Sequence, residues 1–151
     1  RAIRAVGLDL SQQMLNITRL NVGEAGLSVC ELRHGDIFAT GLPSGSADLV
    51  TVHQVLHYLG DPAAAVAEAC RLVAPDGRLL IVDFAPHTLE FLREQHQHRR
   101  LGFSDEEMGR WLATGGLAPD QTLTLPSTVE RGLTVKIWTA RRPAEAVRNA
   151  A

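Results

Sequence analysis

Residues 47–62, ADLVTVHQVLHYLGDP, contain the local pattern that decides the fold. Ala47–Val52 form an almost unbroken apolar run, which is typical of a strand buried on both faces of a parallel sheet. His53–Leu59 then predict a connecting turn or a short helix. Asp61 stands directly before a proline, which predicts an N-cap followed by a helix over 62–73. A buried strand followed closely by a helix is the repeating unit of α/β proteins.

The same alternation extends along the whole chain in both directions. Apolar or alternating runs predict further strands at Ile3–Leu10, Leu27–Arg33, Arg78–Asp83, Leu117–Leu125 and Leu133–Ala140. Serine caps predict a helix after Ser11, which closes at Gly23 and Gly26, and another from Ser104 to about Thr114, which closes at Gly115-Gly116. Pro75-Asp76-Gly77 is typical of a turn. The order predicts an α/β fold with a mainly parallel sheet and helices on both faces.

Composition narrows the functional classes. The chain has 151 residues, 45% of them hydrophobic and 21% charged, which fits one globular domain over 1–142 and a frayed tail over 143–151. A net charge of −2 without a basic stripe argues against a nucleic-acid site. No apolar run is long enough to cross a membrane. Two cysteines without a paired spacing predict free thiols in the cytoplasm.

Polar side chains stand where the predicted strands end, and ligands of α/β sheets bind at such ends. Asp9 ends the first strand, and its carboxylate could accept hydrogen bonds from the two hydroxyls of a ribose. It could equally cap the following helix, so the residue alone leaves both alternatives open. Asp36 and Ile37 follow the next strand and could contact an adenine ring. Taken alone, they are better explained as a turn acid beside a core isoleucine.

Histidines form the second group of candidates. His53 follows a central strand, so we expect it near the reactive end of a bound nucleotide. His57 lies four residues later, but two histidines without a carboxylate or cysteine ligand are too few for a metal site, so no metal is expected. His57 is expected to pack in the interior or to face substrate. A further group of basic residues suggests a metal or anion site, but a solvated helix face is the favoured interpretation: His87, His96, His98, Arg99 and Arg100.

Four segments in order resemble class I S-adenosylmethionine-dependent methyltransferases of the ubiquinone and menaquinone biosynthesis type: GLDLSQQML (7–15), HGDIFATGLPSGSADLVTVHQVLHYLGDP (34–62), RLVAPDGRLLIVDF (71–84) and GFSDEEMGRWLATGGL (102–117). The resemblance extends over residues 4–142. It implies a Rossmann-like methyltransferase sheet with an antiparallel last strand, S-adenosylmethionine as cofactor and a small-molecule methyl acceptor.

The resemblance also implies roles for single residues. Asp9 would bind the ribose of the cofactor, and Leu10 would lie against its adenine. Asp36 and Ile37 would contact the adenine, and His53 would lie near the methionine portion. Methyl transfer depends mainly on alignment, so the resemblance implies no definite catalytic base. If the acceptor must lose a proton, the base candidates are His57, His87 and His96.

One departure from the family pattern is large. The family opens with a strand, a glycine-rich GxGxG turn and a helix, and only eight residues precede Asp9 here. We therefore expect a sheet that lacks the first strand and first helix, a truncated domain that is inactive alone, and weak or absent cofactor binding. The missing strand would leave two open sheet edges, which a homodimer or a strand-swapped dimer could cover.

A more particular resemblance concerns residues 82–108, VDFAPHTLEFLREQHQHRRLGFSDEEM. This stretch is similar to bacterial proteins in which an ArsR-type winged-helix domain precedes the methyltransferase domain. DNA binding would then belong to an upstream domain and not to this chain. The alternative function is therefore a non-catalytic sensor of S-adenosylmethionine or S-adenosylhomocysteine in a transcriptional regulator. A nicotinamide-dependent oxidoreductase shares the acid after the strand but has no counterpart of Gly35-Asp36-Ile37.

Overall fold

A computed structural model describes residues 2–129 and 132–144. The chain divides into two compact units, Arg1–Gly41 and Leu42–Ala151, and each is described by itself. Most of the tail predicted over 143–151 lies outside the described residues.

The first unit is a β-α-β arrangement. It consists of β1 (Ala5–Asp9), α1 (Gln12–Glu24) and β2 (Cys30–His34), and the two strands pair in parallel. Ser11 caps α1, since its Oγ accepts a hydrogen bond from the Met14 amide at 3.3 Å. The predicted order of strand, capped helix and strand is therefore confirmed.

The second unit contains a four-stranded sheet in the order β3-β4-β6-β5. In chain order its elements are β3 (Ala47–His53), a 3-10 turn (Leu56–Tyr58), α2 (Pro62–Leu72), β4 (Val73–Phe84), α3 (Phe91–His96), α4 (Asp105–Thr114), β5 (Ala118–Leu125) and β6 (Val135–Arg141). Side-chain oxygens of Asp61 and Ser104 cap α2 and α4, as the sequence predicts.

The direction of the strands agrees with the predicted fold class. β3 and β4 are parallel, whereas β6 is antiparallel to both of its neighbours, β4 and β5. The last strand is thus the reversed one, as the family resemblance implies. Because β6 lies between β4 and β5, it makes two antiparallel pairings, and the four-stranded sheet is mixed. The sheet of β1 and β2 is parallel.

The core of the second unit lies between its sheet and the two longer helices. α2 and α4 pack together, and the second half of β4 is largely buried. Burial on both faces explains why residues 79–82 of β4 are a continuous apolar run rather than an alternating one. The fully or nearly fully buried core side chains include Val66, Ala69, Leu72, Leu79, Ile81, Met108 and Leu112.

The start of β4 differs from the prediction. The strand begins at Val73, directly after α2, and not at Arg78. Val73 pairs with Ala47 and Arg78 pairs with Leu49. A step of five residues along β4 therefore corresponds to a step of two residues along β3. The extra residues contain the predicted turn, in which Asp76 has a φ of 61°. A pairing partner 26 residues away in the chain sets this boundary, and local turn chemistry does not reveal it.

No helix in the described part of the chain is long and apolar enough to cross a membrane.

Candidate functional site

The carboxylate of Asp9 lies at the end of β1, where the sequence places it. Its Oδ1 accepts a hydrogen bond from the Ser11 amide at 2.7 Å, and this contact fixes the orientation of the carboxylate. The helix itself is capped by Ser11 and not by Asp9, so the capping alternative is wrong in its simple form. Among the described residues, Oδ2 has no hydrogen-bond partner. Leu10, beside it, leaves 67% of its surface exposed although it is apolar.

Asp36 and Ile37 follow the neighbouring strand, β2. Asp36 Oδ1 accepts from the Phe38 amide at 2.9 Å, and the Ala39 amide donates to the Asp36 carbonyl at 3.1 Å. These two bonds make a tight turn that leaves the Asp36 side chain exposed and Ile37 half-buried.

The parallel pairing of β1 and β2 brings these two groups of residues to one edge of the first unit. Asp9 pairs with His34, and the Gly35 amide donates to the Asp9 carbonyl at 3.1 Å. His34 Nε2 lies 2.9 Å from the Leu10 carbonyl oxygen. Two carboxylates and two apolar side chains therefore lie beside the carboxyl ends of adjacent strands, which is where ligands of α/β sheets bind.

The other predicted contact, His53, belongs to the second unit. It is the last residue of β3 and its side chain is exposed. The next residue, Gln54, has a φ of 48°, and its amide donates to the Val82 carbonyl at 2.7 Å. The chain thus turns sharply directly after His53 and leads into the 3-10 turn that carries His57.

His57 is buried and bonded to an acid that the sequence marks only as a strand end. Its Nδ1 lies 2.8 Å from Oδ1 of Asp83, and their side chains are 2% and 0% exposed. Asp83 also accepts from the Leu56 amide at 3.1 Å and from the Phe84 amide at 2.8 Å. These three contacts offset the cost of removing the carboxyl group from water.

Two further histidines complete what we call the histidine cluster, which is His57, Asp83, His87 and His98. The His98 ring lies 4.3 Å from that of His57 and stacks at 12° against Phe84. His98 is 7% exposed and lies beyond the end of α3. The predicted solvated helix face is therefore wrong for His98, because residues 97–101 fold back onto the 3-10 turn.

Backbone bonds hold this return of the chain in place. The Arg99 and Arg100 amides both donate to the His57 carbonyl, at 2.8 and 3.1 Å, and the His87 amide donates to the Leu101 carbonyl at 3.0 Å. Arg100 pairs with Glu107 of α4. His96, by contrast, is exposed on α3 and contacts the Phe91 ring.

Two nitrogens of the histidine cluster have no partner. His87 Nε2 and His98 Nδ1 are buried, and neither makes a hydrogen bond within the described part of the chain. Burial lowers the pKa of both imidazoles, and the neighbouring His57 lowers each further. The smaller electrostatic effects come, for His87, from Arg93 and Glu90 and, for His98, from His87, His96 and Asp83. Both rings therefore favour the neutral form more than a free histidine does.

The described residues contain no group of three or more potential ligands arranged to hold a metal ion. What the sequence analysis missed is Asp83 as the partner of His57, and the burial of His98. The sequence does place Asp83 at the end of a predicted strand. Because that strand lies beside the one that ends at His53, an acid at its end can contact the turn that follows His53.

Comparisons with known proteins identify the family and the fold. A family model described as a methyltransferase domain matches residues 1–81, which is more than half of the chain. The ubiquinone biosynthesis O-methyltransferase of Thiobacillus denitrificans is 42% identical over 72 residues, covering 47% of this chain and 31% of that protein. The chain matches only about a third or less of the length of such curated relatives.

Solved structures share the fold. A protein of Bacillus halodurans C-125 assigned as a methyltransferase superposes with a TM-score of 0.80 at 18% identity, covering 93% of this chain and 84% of the other. Geranyl diphosphate methyltransferase in complex with S-adenosylmethionine gives a TM-score of 0.76 at 16% identity, covering 92% and 68%. The chain belongs to the methyltransferase domain family, which confirms both the family and the S-adenosylmethionine cofactor predicted from the four motifs.

Proposed function

We propose that the chain is a methyltransferase domain that binds S-adenosylmethionine through its first unit and acts on a small-molecule acceptor. The observation that carries this proposal is the Asp9 carboxylate at the end of β1. One of its oxygens is fixed by the Ser11 amide at 2.7 Å, and the other has no partner among the described residues. An oriented carboxylate with a free oxygen is suited to accept hydrogen bonds from ribose hydroxyls.

The surroundings of Asp9 suit the adenine ring of the same cofactor. Leu10 is mostly exposed and Ile37 half-buried, so both offer apolar surface that a planar ring would cover. Asp36 uses Oδ1 to bond the Phe38 amide, which leaves its other oxygen for the adenine amino group. These three residues, together with Asp9, provide both the polar and the apolar contacts of a nucleoside.

One residue of the second unit is a separate proposal, which rests on the family resemblance alone. His53, exposed at the end of β3, is assigned to the methionine portion. The bound cofactor supplies a methyl group on a positively charged sulfur, and alignment of the acceptor with it provides most of the catalysis. A net charge of −2 without a basic stripe favours a small molecule over nucleic acid as acceptor. The free cysteines, Cys30 and Cys70, support a reducing compartment such as the cytoplasm.

Titration of the isotope-labelled chain with S-adenosylhomocysteine, followed by NMR, tests the proposal, because this method detects even millimolar binding. We expect amide shifts at Leu10, Ile37 and Phe38. Asp9→Asn keeps an oxygen for the Ser11 amide but removes the charge, so affinity should fall on the order of tenfold to a hundredfold, the value of a hydrogen bond to a charged group. Glu24→Ala, an exposed acid at the end of α1, is the matched control.

The proposal fails if saturating ligand leaves those amides unmoved, or if Asp9→Asn and Glu24→Ala bind equally well. The sensor alternative uses the same nucleoside contacts. Transfer of a methyl group to any acceptor by the protein separates the two, since a sensor would bind the cofactor without consuming it.

A further inference from the structure

We propose that the outer edge of β2 is a self-association site, at which β2 of a second copy of this chain pairs antiparallel with it about Leu32. The pairing extends the two-stranded sheet of the first unit to four strands. This inference concerns assembly, and it does not depend on the proposed methyl transfer.

The backbone of β2 has unused hydrogen-bonding groups at this edge. The Val29 carbonyl and the Gly35 amide both bond to β1, at 2.9 and 3.1 Å, and β2 pairs with no other strand among the described residues. Because backbone groups alternate in direction along a strand, those of Cys30, Leu32 and His34 are directed away from β1. The Cys30 amide donates within the chain, but the other five groups have no such partner. Unpaired groups on an edge strand are a template for pairing with another chain.

The charges of β2 are complementary to those of a second β2. Antiparallel pairing about Leu32 places Glu31 of each copy opposite Arg33 of the other, so two pairs of opposite charge form across the joint. The two side chains are 46% and 37% exposed. Within one chain Glu31 already contacts Arg33 at 2.6 Å and Arg4 at 3.1 Å. The cross-strand pairs therefore extend an existing network, and opposite charges facing each other stabilise antiparallel strands.

Backbone direction and charge together select this register. Leu32 faces its counterpart with its N–H and C=O both directed outward, as a hydrogen-bonded pair of an antiparallel ladder requires. Cys30 then lies opposite His34, whose amide can donate to the Cys30 carbonyl. The adjacent registers that keep the same backbone direction place Glu31 opposite Glu31 or Arg33 opposite Arg33, and facing like charges are destabilising.

The space beside the edge admits a second copy. An open groove of about 400 Å³ lies between α1 and β2, and its lining includes Arg19, Val22, Gly23, Cys30 and Leu32. Edge-to-edge antiparallel pairing puts the second α1 on the same face of the joined sheet. Since α1 packs on both strands and strands lie about 4.8 Å apart, the two helix axes come to about 10 Å, an ordinary packing distance.

Sedimentation velocity of the full chain, from about 1 µM to about 0.5 mM, tests the association. A five-residue pairing with polar flanks is smaller than a permanent interface, so we expect a reversible shift from the mass of one chain toward that of two. Glu31→Arg and Arg33→Glu each turn both cross-strand pairs into like charges, so each should weaken association about tenfold or more. Glu24→Arg, the same reversal on exposed α1 surface, should associate like the parent.

An equimolar mixture of the two weakened variants is the decisive sample. In the mixed dimer, Arg at position 31 of one copy faces Glu at position 33 of the other, and the second pair is again of opposite charge. Association should therefore return to the parent level. Mixing cannot repair the contacts of Glu31 with Arg33 and Arg4 inside one chain, so recovery reports contact between copies alone.

Disulfide trapping in a Cys30→Ser background tests the register. Glu31→Cys mixed with Arg33→Cys should give a linked dimer on mild oxidation, since such opposite residues have Cα atoms about 4.5 Å apart, within disulfide range. Either variant alone should link far more slowly, because the same residue in two copies lies two positions out of register. Cys70 does not compete, since burial raises the pKa of its thiol to about 11.

A single chain at every concentration overturns the inference. A dimer that the charge reversals leave unchanged, or that mixing does not restore, also overturns it, because the contact then belongs to another surface. Equal trapping of the separate and mixed cysteine variants refutes the register. None of these results bears on S-adenosylhomocysteine binding at Asp9, so the cofactor site and the association stand or fall separately.

Discussion

Nδ1 of His57 and Oδ1 of Asp83 lie 2.8 Å apart, and the Asp83 carboxylate is completely buried. Three protein groups donate to this carboxylate: the imidazole and two backbone amides. The bond links the turn after β3 to the end of β4, so one side chain joins two elements of the second unit and orients the His57 ring.

Replacement of Asp83 by alanine should therefore be strongly destabilising. It leaves the His57 ring and the Leu56 and Phe84 amides without their acceptor, and the loss of one partner of a buried pair costs about 3–5 kcal/mol. Urea unfolding followed by circular dichroism measures the change. Asp48→Asn, on the exposed side of β3, is the control and should stay within about 0.5 kcal/mol of the parent. A similar small loss for Asp83→Ala would show that water replaces the carboxylate.

Stability should also fall as the pH drops below about 6.5, the ordinary pKa of histidine. The folded-state pKa values of His87 and His98 are lowered, chiefly by burial. Between the lowered and the ordinary value the unfolded chain binds more protons than the folded one, so protonation favours unfolding. Unfolding free energies at pH 7.5 and at successive steps down to pH 5 measure the slope. His98→Phe should reduce the slope, and an unchanged slope would contradict the assignment.

The sequence predicts those parts of the structure that depend on neighbouring residues. Ser11, Asp61 and Ser104 cap their helices as expected, because a cap bonds amides two or three positions away. The positions of Asp9 and Asp36 at strand ends also follow from local patterns. The predicted contacts of these residues with the cofactor remain proposals.

Long-range contacts explain what the sequence does not predict. Residues 97–101 look like a polar surface segment, yet His98 is buried because Arg99 and Arg100 bond the carbonyl of His57, some forty residues earlier in the chain. The early start of β4 at Val73 likewise depends on Ala47. Neither partner is visible in a local pattern, so a buried histidine and an exposed one look alike in the sequence.

Two glycines should respond to alanine in opposite directions. Gly102 has a φ of 85°, and a Cβ there would lie 2.0 Å from the Ala85 carbonyl oxygen. Gly102→Ala must therefore displace the backbone, and we expect a loss of more than about 2 kcal/mol. Gly109 is within α4 and has nothing within 4 Å of the added carbon, so Gly109→Ala should stabilise by up to about 1 kcal/mol. Thermal melts of both variants measure the two effects, and a shift of the same sign in both would contradict this expectation.

Asp105 joins α4 to β6. Its Oδ1 accepts from Nε1 of Trp138 at 2.8 Å, and both of its oxygens lie 2.6 Å from Lys136 Nζ. Trp138 is 3% exposed, so Asp105→Ala leaves a buried indole N–H without its acceptor. The expected cost is about 1–3 kcal/mol, and tryptophan fluorescence should change. Glu106→Ala, the exposed neighbour on α4, is the control, since it loses only a surface pair with Arg110.

The contact of Asp105 and the histidine cluster affect the unfolding free energy in different pH ranges. The hydrogen bond from Lys136, and more weakly that from Trp138, hold the pKa of Asp105 below its ordinary value of 3.8. A lowered carboxyl pKa contributes stability above the ordinary value, and the contribution is lost as the pH falls through the lowered one. Asp105→Ala should therefore leave the slope between pH 7.5 and 5 unchanged and flatten only the loss of stability below about pH 4. If the variant changes the slope near pH 6 instead, the two contributions have been assigned to the wrong groups.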